Sequence, residues 1–331
     1  MAPRLKMAVV GLGRISTAHL VAIQANADLA ELVAVCSRRE DVSRDVAARY
    51  GASRIYARAE DVIADPHVQA IVLCTPNDLH APMAVAAAQA GKHILVEKPL
   101  ANTVREADAM IEAAASNHVV LMAAQVRRFF QAILEARRRI EGIGGISSFV
   151  QFWGINFQRL PAEWWKSPER VGGSGGAIWM NGPHMLDTLL WLAGSKPAYV
   201  YCETRNTFPQ WQAEDEVSML LRFKDGLIAN LHLSYSALPY TNERYIIGPK
   251  GTLRIVDERE LWVNNQQVVA EPFTNYLEGG PEFNRQTREF ILAVQEGREP
   301  LASGREVRNV IEVMEALALS AKQREVVTLK P

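Results

Sequence analysis

The strongest constraint on the fold of this 331-residue chain is a β-strand, a glycine turn and a helix in immediate succession near its start. Residues 5–10 form an apolar β-type run, residues 11–16 form the turn, and residues 17–25 have a helical pattern. Gly11 permits a tight turn, Gly13 lets a pyrophosphate approach the backbone, and Ser16 takes the third small position. The amino end of the helix then faces the phosphate charge. The succession predicts a dinucleotide-binding site.

Alternating strands and helices follow the glycine turn as far as residue 124. The predicted strands are residues 31–36, 70–74, 93–96 and 119–123, and the predicted helices are residues 41–50, 59–63, 81–90 and 105–116. Such alternation indicates a parallel sheet with right-handed crossovers, and ligands of this sheet bind at the carboxyl ends of its strands. We therefore predict an α/β fold in which residues 1–124 form a Rossmann domain with a doubly wound parallel sheet.

The end of the second predicted strand favours NADP over NAD. A NAD-selective fold carries an acidic residue at about this spacing, where it binds the ribose hydroxyls. Here Ser37, Arg38 and Arg39 follow the strand, and the first acid is Glu40. A hydroxyl and two guanidinium groups suit the 2′-phosphate of NADP, which a carboxylate would repel. The alternative interpretation is a charged loop at the start of a helix.

A lone lysine, Lys98, follows the apolar run at residues 93–96. Because ligands bind at the carboxyl ends of strands, we expect Lys98 to point into a crevice. Taken alone, a lysine at a strand end is more commonly a solvent-exposed residue without a functional role. The Lys98–Pro99 bond is a candidate for a cis peptide, since such bonds occur mainly before proline.

Three motifs of the first half together resemble the amino-terminal motifs of the glucose-fructose oxidoreductase, inositol dehydrogenase and rhizopine catabolism (Gfo/Idh/MocA) family. They are residues 11–16, residues 75–80 and residues 97–99, in the order and spacing of the family. The resemblance implies that Lys98 is the catalytic lysine. The residues expected to bind the cofactor, NADP by preference or NAD, are Gly11, Gly13, Arg14, Ile15, Ser37, Arg38, Arg39, Thr75, Pro76, Asn77, His80, Glu97, Lys98 and Gln125. For His80, a helix-start residue without a catalytic role is an equally fair interpretation.

The segment from Gln125 resembles the family's passage into a second domain, which we predict over residues 125–331. Arg127 or Arg128 is a candidate to touch substrate or cofactor, and a solvated pair at a helix start is the alternative. From residue 146 the pattern is β-rich, with a hairpin signal at residues 225–226. We predict a C-terminal α+β domain built on a large open, mostly antiparallel sheet. The resemblance implies that the exposed face of this sheet forms homodimers or homotetramers.

A second candidate site lies where a helix is predicted to start near Pro183. Asn181 or Gly182 is a candidate cap for this helix, and His184 shares a face with Asp187 and Trp191. A histidine oriented by a carboxylate is suited to proton transfer, and a structural histidine is the alternative.

The resemblance assigns this helix start to the substrate. The family has an aspartate, a glycine, a histidine and a second aspartate here, and Gly182, His184 and Asp187 match the last three in spacing. Met180 stands where the first aspartate is expected. Asn181 could replace that carboxylate only if the turn is rearranged. The candidate catalytic residues are Lys98, His184, Asp187 and Asn181.

Trp164 and Trp165 precede a glycine-rich stretch at residues 172–176. We expect this segment to form a wall of the substrate crevice, with a tryptophan as an apolar face for a sugar ring. Core packing of both tryptophans is the alternative.

Composition and charge exclude several classes of function. The formal net charge of -1 gives no electrostatic reason to bind nucleic acid or an anionic membrane. The sequence has no apolar run that could span a bilayer and no signal-peptide core, so we expect a cytoplasmic protein. Cys36, Cys74 and Cys202 lie far apart, without a CxxC pair or clustered histidines, so we expect neither disulfides nor a structural metal.

These features together predict an NAD(P)-dependent oxidoreductase acting on a carbinol or ketone of a sugar, cyclitol or related polyol. Hydride moves between the substrate carbon and the nicotinamide, and Lys98, assisted by His184, takes or gives the proton on oxygen. One alternative is a non-catalytic cofactor- or sugar-sensing regulator on the same fold. Another is an enzyme that keeps its cofactor bound and shuttles hydride between two sugars.

Overall fold

The computed structural model describes residues 3–157, 171, 176–208, 212–275 and 278–330. The chain divides into two compact units. Unit 1 contains residues 1–101, 105–129 and 274–308, and unit 2 contains residues 102–104, 130–273 and 309–331. Unit 1 thus includes residues 125–129 and 274–308, which the expected boundary after residue 124 assigned to the second domain.

Fifteen strands and ten α-helices occur within the described ranges. The strands are β1 (Leu5–Val10), β2 (Ala30–Cys36), β3 (Arg54–Tyr56), β4 (Ala70–Leu73), β5 (His93–Val96), β6 (Leu121–Ala123), β7 (Ser148–Asn156), β8 (Pro197–Arg205), β9 (Glu216–Phe223), β10 (Ile228–Ser234), β11 (Ser236–Gly248), β12 (Gly251–Val256), β13 (Glu260–Val263), β14 (Gln266–Ala270) and β15 (Val327–Thr328). The helices are α1 (Ser16–Ala25), α2 (Glu40–Tyr50), α3 (Ala59–Ala64), α4 (His80–Gln89), α5 (Val104–Ser116), α6 (Gln131–Arg139), α7 (Ala177–Met180), α8 (Gly182–Ala193), α9 (Pro281–Glu296) and α10 (Gly304–Gln323).

Unit 1 is built on a six-stranded sheet in the order β3-β2-β1-β4-β5-β6, in which every neighbouring pair is parallel. The predicted Rossmann domain is therefore confirmed. The inner strands β4 and β5 are almost entirely buried, as expected where helices cover both faces of a parallel sheet. The strand order reverses between β1 and β4, and a doubly wound sheet opens its ligand crevice at such a point.

Helix α9 belongs to unit 1 because it packs on α1. Its Phe283 is buried with Ala18, Ala22 and Val126 in one apolar cluster. The amphipathic pattern of this helix predicts that one face is buried, but a pattern does not say against which partner. The packing of this late segment on the first helix was therefore not predicted from the sequence.

Unit 2 is built on a nine-stranded sheet in the order β14-β13-β12-β11-β7-β10-β9-β8-β15. Its neighbouring pairs are antiparallel except for β7 with β10, which confirms the predicted mostly antiparallel sheet. Burial alternates along β7, where Phe149, Gln151 and Trp153 are buried while Val150 and Phe152 are exposed. One face of the sheet is therefore a core face and the other is open.

Several smaller expectations can be compared with the structure. The predicted hairpin joins β9 and β10, with Gly226 at φ +100°. Sequence analysis missed β3, β8, β13, β14 and β15. Strand β14 is exposed at four of its five residues, so it lacks the alternation that reveals a strand. Cys36, Cys74 and Cys202 are free and buried. Burial together with neighbouring carboxylates raises the pKa of Cys36 to about 11 and that of Cys202 to about 12.

None of the helices in the described part of the chain has the length and hydropathy needed to cross a membrane.

Candidate active site

The loops that follow β1, β2, β4, β5 and β6 start at one edge of the unit 1 sheet, and backbone hydrogen bonds fix their starting points. The bonds run from Gly11 N to Cys36 O (2.9 Å), from Cys74 N to Val10 O (2.8 Å), from Glu97 N to Leu73 O (2.9 Å) and from Ala124 N to Val96 O (2.7 Å). Parallel strands thus bring residues from distant parts of the sequence to the edge where such sheets bind ligands.

The glycine turn after β1 leaves backbone donors at the amino end of α1. Gly11 has φ +91°, and a Cβ there would lie 2.6 Å from Cys74 O, so only glycine fits. Nothing lies within 4 Å of a Cβ built on Gly13, and Ser16 Oγ donates to Gly13 O at 2.7 Å. Within the described residues, the N–H groups of residues 13–15 donate no hydrogen bond. Open backbone donors at a helix start fit the pyrophosphate of a dinucleotide.

The loop after β2 presents two cations. Arg38 and Arg39 are exposed, and neither forms an ion pair with another described residue. Arg39 N donates to Ser37 Oγ at 3.2 Å, which fixes the start of the loop. Arg44, one turn into α2, instead pairs with Glu40 at 2.6 Å. The loop is therefore positively charged at the place where a Rossmann fold binds the adenosine ribose.

The loop after β4 is supported by a buried histidine. His80 is fully buried, with Nδ1 2.9 Å from Pro99 O and Nε2 3.0 Å from Thr75 O. Burial lowers the pKa of His80, although the two carbonyl groups act in the opposite direction. Both ring nitrogens are engaged by the backbone, so His80 joins two loops and offers neither nitrogen to a ligand. Beside it, Pro76 is half-buried and Asn77 is buried.

Thr75 and Gln125 carry buried polar atoms that no described residue satisfies. Thr75 Oγ1 is buried and has no hydrogen-bond partner among the described residues. The side chain of Gln125 is fully buried, and neither its Oε1 nor its Nε2 has a hydrogen-bond partner among the described residues. Buried polar atoms normally find partners, so these groups at the strand ends fit a polar ligand.

The loop after β5 carries Glu97 and Lys98, and a buried histidine of α1 joins them. His19 Nε2 donates to Glu97 Oε1 at 2.9 Å. Glu97 Oε2 accepts the backbone N–H of Lys98 at 3.0 Å. Burial raises the pKa of Glu97, but the hydrogen bond from His19 and the charge of Lys98 outweigh it, so this pKa lies below its ordinary value. The Lys98–Pro99 peptide bond is cis.

Lys98 is only partly exposed, and its surroundings favour the neutral amine. Burial lowers the pKa of Lys98, Glu97 opposes this effect, and the guanidinium of Arg127 adds to it, with a net downward shift. Arg128 differs from Arg127 because it is buried and donates to Glu306 Oε2 at 2.6 Å. The solvated arginine pair considered from the sequence therefore does not occur. A lowered pKa suits a lysine that is to exchange protons with a substrate.

Unit 2 holds the other candidate catalytic residues. Helix α8 begins directly after Asn181 and has Pro183 in its first turn, as predicted, although Asn181 makes no side-chain capping bond. His184 and Asp187 are buried. The His184 ring centroid lies 6.1 Å from that of Trp153, with the ring planes at 46°. The first turn of α8 is thus packed against the core face of the nine-stranded sheet.

The position of the family's first aspartate is apolar in this chain. Met180 ends α7 and is 5% exposed. A carboxylate from elsewhere in the sequence approaches the same helical turn, because Glu214 Oε1 accepts the N–H of Ile178 at 3.2 Å. Gly176 makes room for it, since a Cβ there would lie 2.5 Å from Glu214 Oε2. Sequence analysis missed Glu214, which belongs to no motif.

Two further predictions concern other parts of the chain. Trp164 and Trp165 lie outside the described residues. In the ranges that the structure describes, no group of three or more His, Cys, Asp and Glu side chains could hold a metal ion.

Sequence analysis also missed His19, whose only signal is a polar residue on the buried face of the first helix.

Two family models match the chain. The model of an oxidoreductase family with an NAD-binding Rossmann fold matches residues 5–125. The model of the GFO/IDH/MocA C-terminal domain matches residues 105–254. Between them the two models cover well over half of the sequence.

Two relatives and one solved structure are similar over nearly the whole length. The 4-carboxy-2-hydroxymuconate-6-semialdehyde dehydrogenase of Sphingobium sp. is 26% identical over 97% of this chain and 100% of its own. The myo-inositol 2-dehydrogenase of Thermotoga maritima is 25% identical over 98% of this chain and 99% of its own. The structure of levoglucosan dehydrogenase in complex with NADH and levoglucosan has a TM-score of 0.87 and 25% identity, covering 98% of this chain and 99% of that one.

Proposed function

This chain belongs to the Gfo/Idh/MocA family of NAD-binding oxidoreductases, and we propose that it moves hydride between a nicotinamide dinucleotide and a carbinol or ketone of a sugar, cyclitol or related polyol. The observation that carries the proposal is Lys98, with a lowered pKa, at the same sheet edge as the glycine turn. The relatives named for myo-inositol and levoglucosan support the substrate class.

The chain's contribution to the reaction is proton transfer at the substrate oxygen. When bound, the nicotinamide ring accepts or donates the hydride. In the oxidative direction Lys98 Nζ takes the hydroxyl proton, and in the reductive direction it returns a proton to the carbonyl oxygen. A free lysine has a pKa of about 10.4, too high for a base near neutrality. Because the pKa of Lys98 is lowered, oxidation should become faster as pH rises through that pKa, at lower pH than an ordinary lysine allows.

The cofactor is proposed to lie along the carboxyl edge of the unit 1 sheet. Residues 11–15 face its pyrophosphate, residues 37–39 its adenosine ribose, and the nicotinamide half meets Thr75, Pro76, Asn77, Glu97 and Gln125. We propose that His80 contributes through the loops that it joins, because its ring nitrogens are already bonded to Thr75 O and Pro99 O.

NADP is the proposed preferred cofactor. Arg38 and Arg39 are exposed, and neither is neutralised by a carboxylate among the described residues. Guanidinium groups bind phosphate through charge-assisted hydrogen bonds, whereas the ribose of NAD has only hydroxyls at this position. The NADH bound to the related levoglucosan dehydrogenase belongs to that protein.

His184 is proposed to assist Lys98 in proton transfer, with Asp187 orienting its imidazole and Asn181 contacting the substrate. His184 and Asp187 are three residues apart on α8, which puts them on one helix face. The burial of both side chains supports a fixed orientation.

A fluorescence titration with NADPH and NADH, followed by a turnover screen, tests the proposed function. The screen includes sugars, keto-sugars, inositols and one carboxylated semialdehyde, because a relative is named for such a compound. We expect saturable NADPH binding and turnover of at least one polyol or keto-sugar. Binding of cofactor without turnover of any compound would favour the sensing regulator, and absence of dinucleotide binding would contradict the oxidoreductase. NADP released only on denaturation would identify an enzyme that keeps its cofactor bound.

The open face of the nine-stranded sheet is proposed to join copies of this chain into dimers or tetramers. Seven large apolar side chains on five of its strands are each 37–42% exposed, namely Val150, Phe152, Tyr199, Leu220, Ile228, Tyr245 and Ile247. Exposed apolar side chains gathered on one sheet face are costly in water. Sedimentation should show an oligomer that Phe152→Lys dissociates and Leu301→Lys, an exposed change in unit 1, does not. A wild-type chain that sediments only as a monomer would refute the proposal.

A further inference from the structure

We infer that His19 is a positioning residue that holds the Glu97 carboxylate beside Lys98 and thereby sets the protonation of that lysine. The inference rests on the proposed function, in which Lys98 exchanges the substrate proton. His19 lies outside the three motifs at residues 11–16, 75–80 and 97–99.

The geometry fixes both the bond and the direction of its donor. His19 is fully buried in α1, and its Nε2 lies 2.9 Å from Glu97 Oε1 in the loop after β5. An ionised carboxylate only accepts, so Nε2 carries the proton. The Phe283 ring of α9 packs edge-on against the imidazole, with centroids 5.5 Å apart and planes at 87°. The ring is therefore held between a packing contact on one side and the carboxylate on the other.

The second oxygen of the same carboxylate connects His19 to the backbone of Lys98. Glu97 Oε2 accepts the backbone N–H of Lys98 at 3.0 Å, so both oxygens of Glu97 have fixed donors. A buried carboxylate that lost the His19 donor would be harder to ionise, because burial raises its pKa. The charge that Glu97 presents to Lys98 therefore depends on His19.

Three other titratable groups lie near Glu97 and Lys98, and none of them takes over the effect of Glu97 on the lysine. Arg127 lowers the pKa of Lys98 and so acts against Glu97. Burial, with Glu97 adding to it, raises the pKa of Cys74 well above its ordinary value, so this thiol stays uncharged. Burial lowers the pKa of His80, and the charge of Glu97 opposes this effect. Glu97 is thus the anion that keeps the pKa of Lys98 from falling further.

Competitive labelling of the full-length protein with acetic anhydride tests the inference without any substrate. The fraction of Lys98 acetylated at each pH, read by mass spectrometry, gives the midpoint of its titration. Glu97→Gln should move that midpoint down by roughly 1–3 pH units, the usual effect of a nearby opposite charge. His19→Leu, which fills the space but has no donor, should move it in the same direction by a smaller amount. His19→Gln, whose side-chain N–H can replace the bond, should restore the wild-type midpoint.

Phe283→Leu is the matched control, because it removes the ring packed on His19 and leaves the hydrogen bond in place. It should lower the melting temperature without moving the Lys98 midpoint. A wild-type midpoint in His19→Leu, or a midpoint in His19→Gln shifted as far as in His19→Leu, would overturn the inference. If His19→Leu does not fold, an unshifted Glu97→Gln midpoint overturns it instead. Full turnover by a Lys98 variant would refute the proposed function but leave these midpoints as they are, so the two failures are distinct.

Discussion

The candidate residues of unit 1 and those of unit 2 are held in place by different physical means. In unit 1 the backbone sets the geometry: parallel strands end at one edge, Gly11 takes a positive φ, and residues 13–15 expose their N–H groups. In unit 2 side-chain packing sets it, since His184 and Asp187 are buried on a helix beside Trp153. The backbone turn of unit 1 should lose its function when a Cβ is added to a glycine. The helix of unit 2 should lose its function when a functional side chain is removed.

The largest expected effect is that of Gly11→Ala. The φ of +91° and a Cβ 2.6 Å from Cys74 O leave no place for a side chain. We expect the free energy of unfolding to fall by about 2 kcal/mol or more and cofactor binding to be lost. Gly13→Ala is the matched control, because nothing lies within 4 Å of its Cβ. It should leave stability nearly unchanged and weaken only cofactor binding, since the new Cβ obstructs the pyrophosphate.

Urea unfolding and NADPH fluorescence titration measure the two effects separately. Wild-type NADPH affinity in both alanine variants would show that the turn does not bind the cofactor through its backbone.

The next effect concerns unit 2. His184→Asn should lower kcat/KM by about 10²–10⁴-fold, the usual contribution of a proton-transfer group. NADPH affinity should stay the same, because the proposed cofactor contacts belong to unit 1. Trp153→Phe is the control, since it keeps an aromatic ring against His184 and removes no titratable group. Similar losses of kcat/KM in both variants would make His184 a packing residue.

The smallest effect is a change of cofactor preference. Arg38→Asp should reduce the preference for NADPH over NADH by roughly 10–100-fold, since a charge-assisted hydrogen bond contributes about 1.5–3 kcal/mol. Arg44→Asp changes the net charge equally, but Arg44 already pairs with Glu40, so it should leave the preference unchanged. The ratio of the two dissociation constants gives the answer, and an unaltered ratio in Arg38→Asp would remove this loop from NADP recognition.

Sequence reasoning predicted the part of the molecule in which short motifs dictate the backbone. Local patterns predict the glycine turn, the parallel sheet and the strand ends at Thr75 and Lys98. In a parallel sheet the loops that follow the strands begin at the same edge, so these residues are expected to lie near one another. The large antiparallel sheet also followed, since β7 and the hairpin after β9 alternate clearly.

The remaining features depend on contacts between distant segments, which a local pattern does not contain. Phe283 packs beside His19, and Glu214 bonds to Ile178, although each pair lies far apart in sequence. The motif made His80 a candidate to bind the cofactor, but its two ring nitrogens are bonded to backbone carbonyl groups. The burial of a side chain and its hydrogen-bond partners depend on the folded chain, so the roles of these residues could be assigned only from the structure.

The central claim is that Lys98 moves the substrate proton while the backbone of unit 1 holds the cofactor. Turnover and NADPH titration of Lys98→Met, measured on one preparation, test it most directly. The variant keeps an unbranched side chain of similar length but has no amine. We expect kcat to fall by about 10²–10⁴-fold or more while the dissociation constant of NADPH stays at the wild-type value. A kcat close to that of the wild type would contradict the claim.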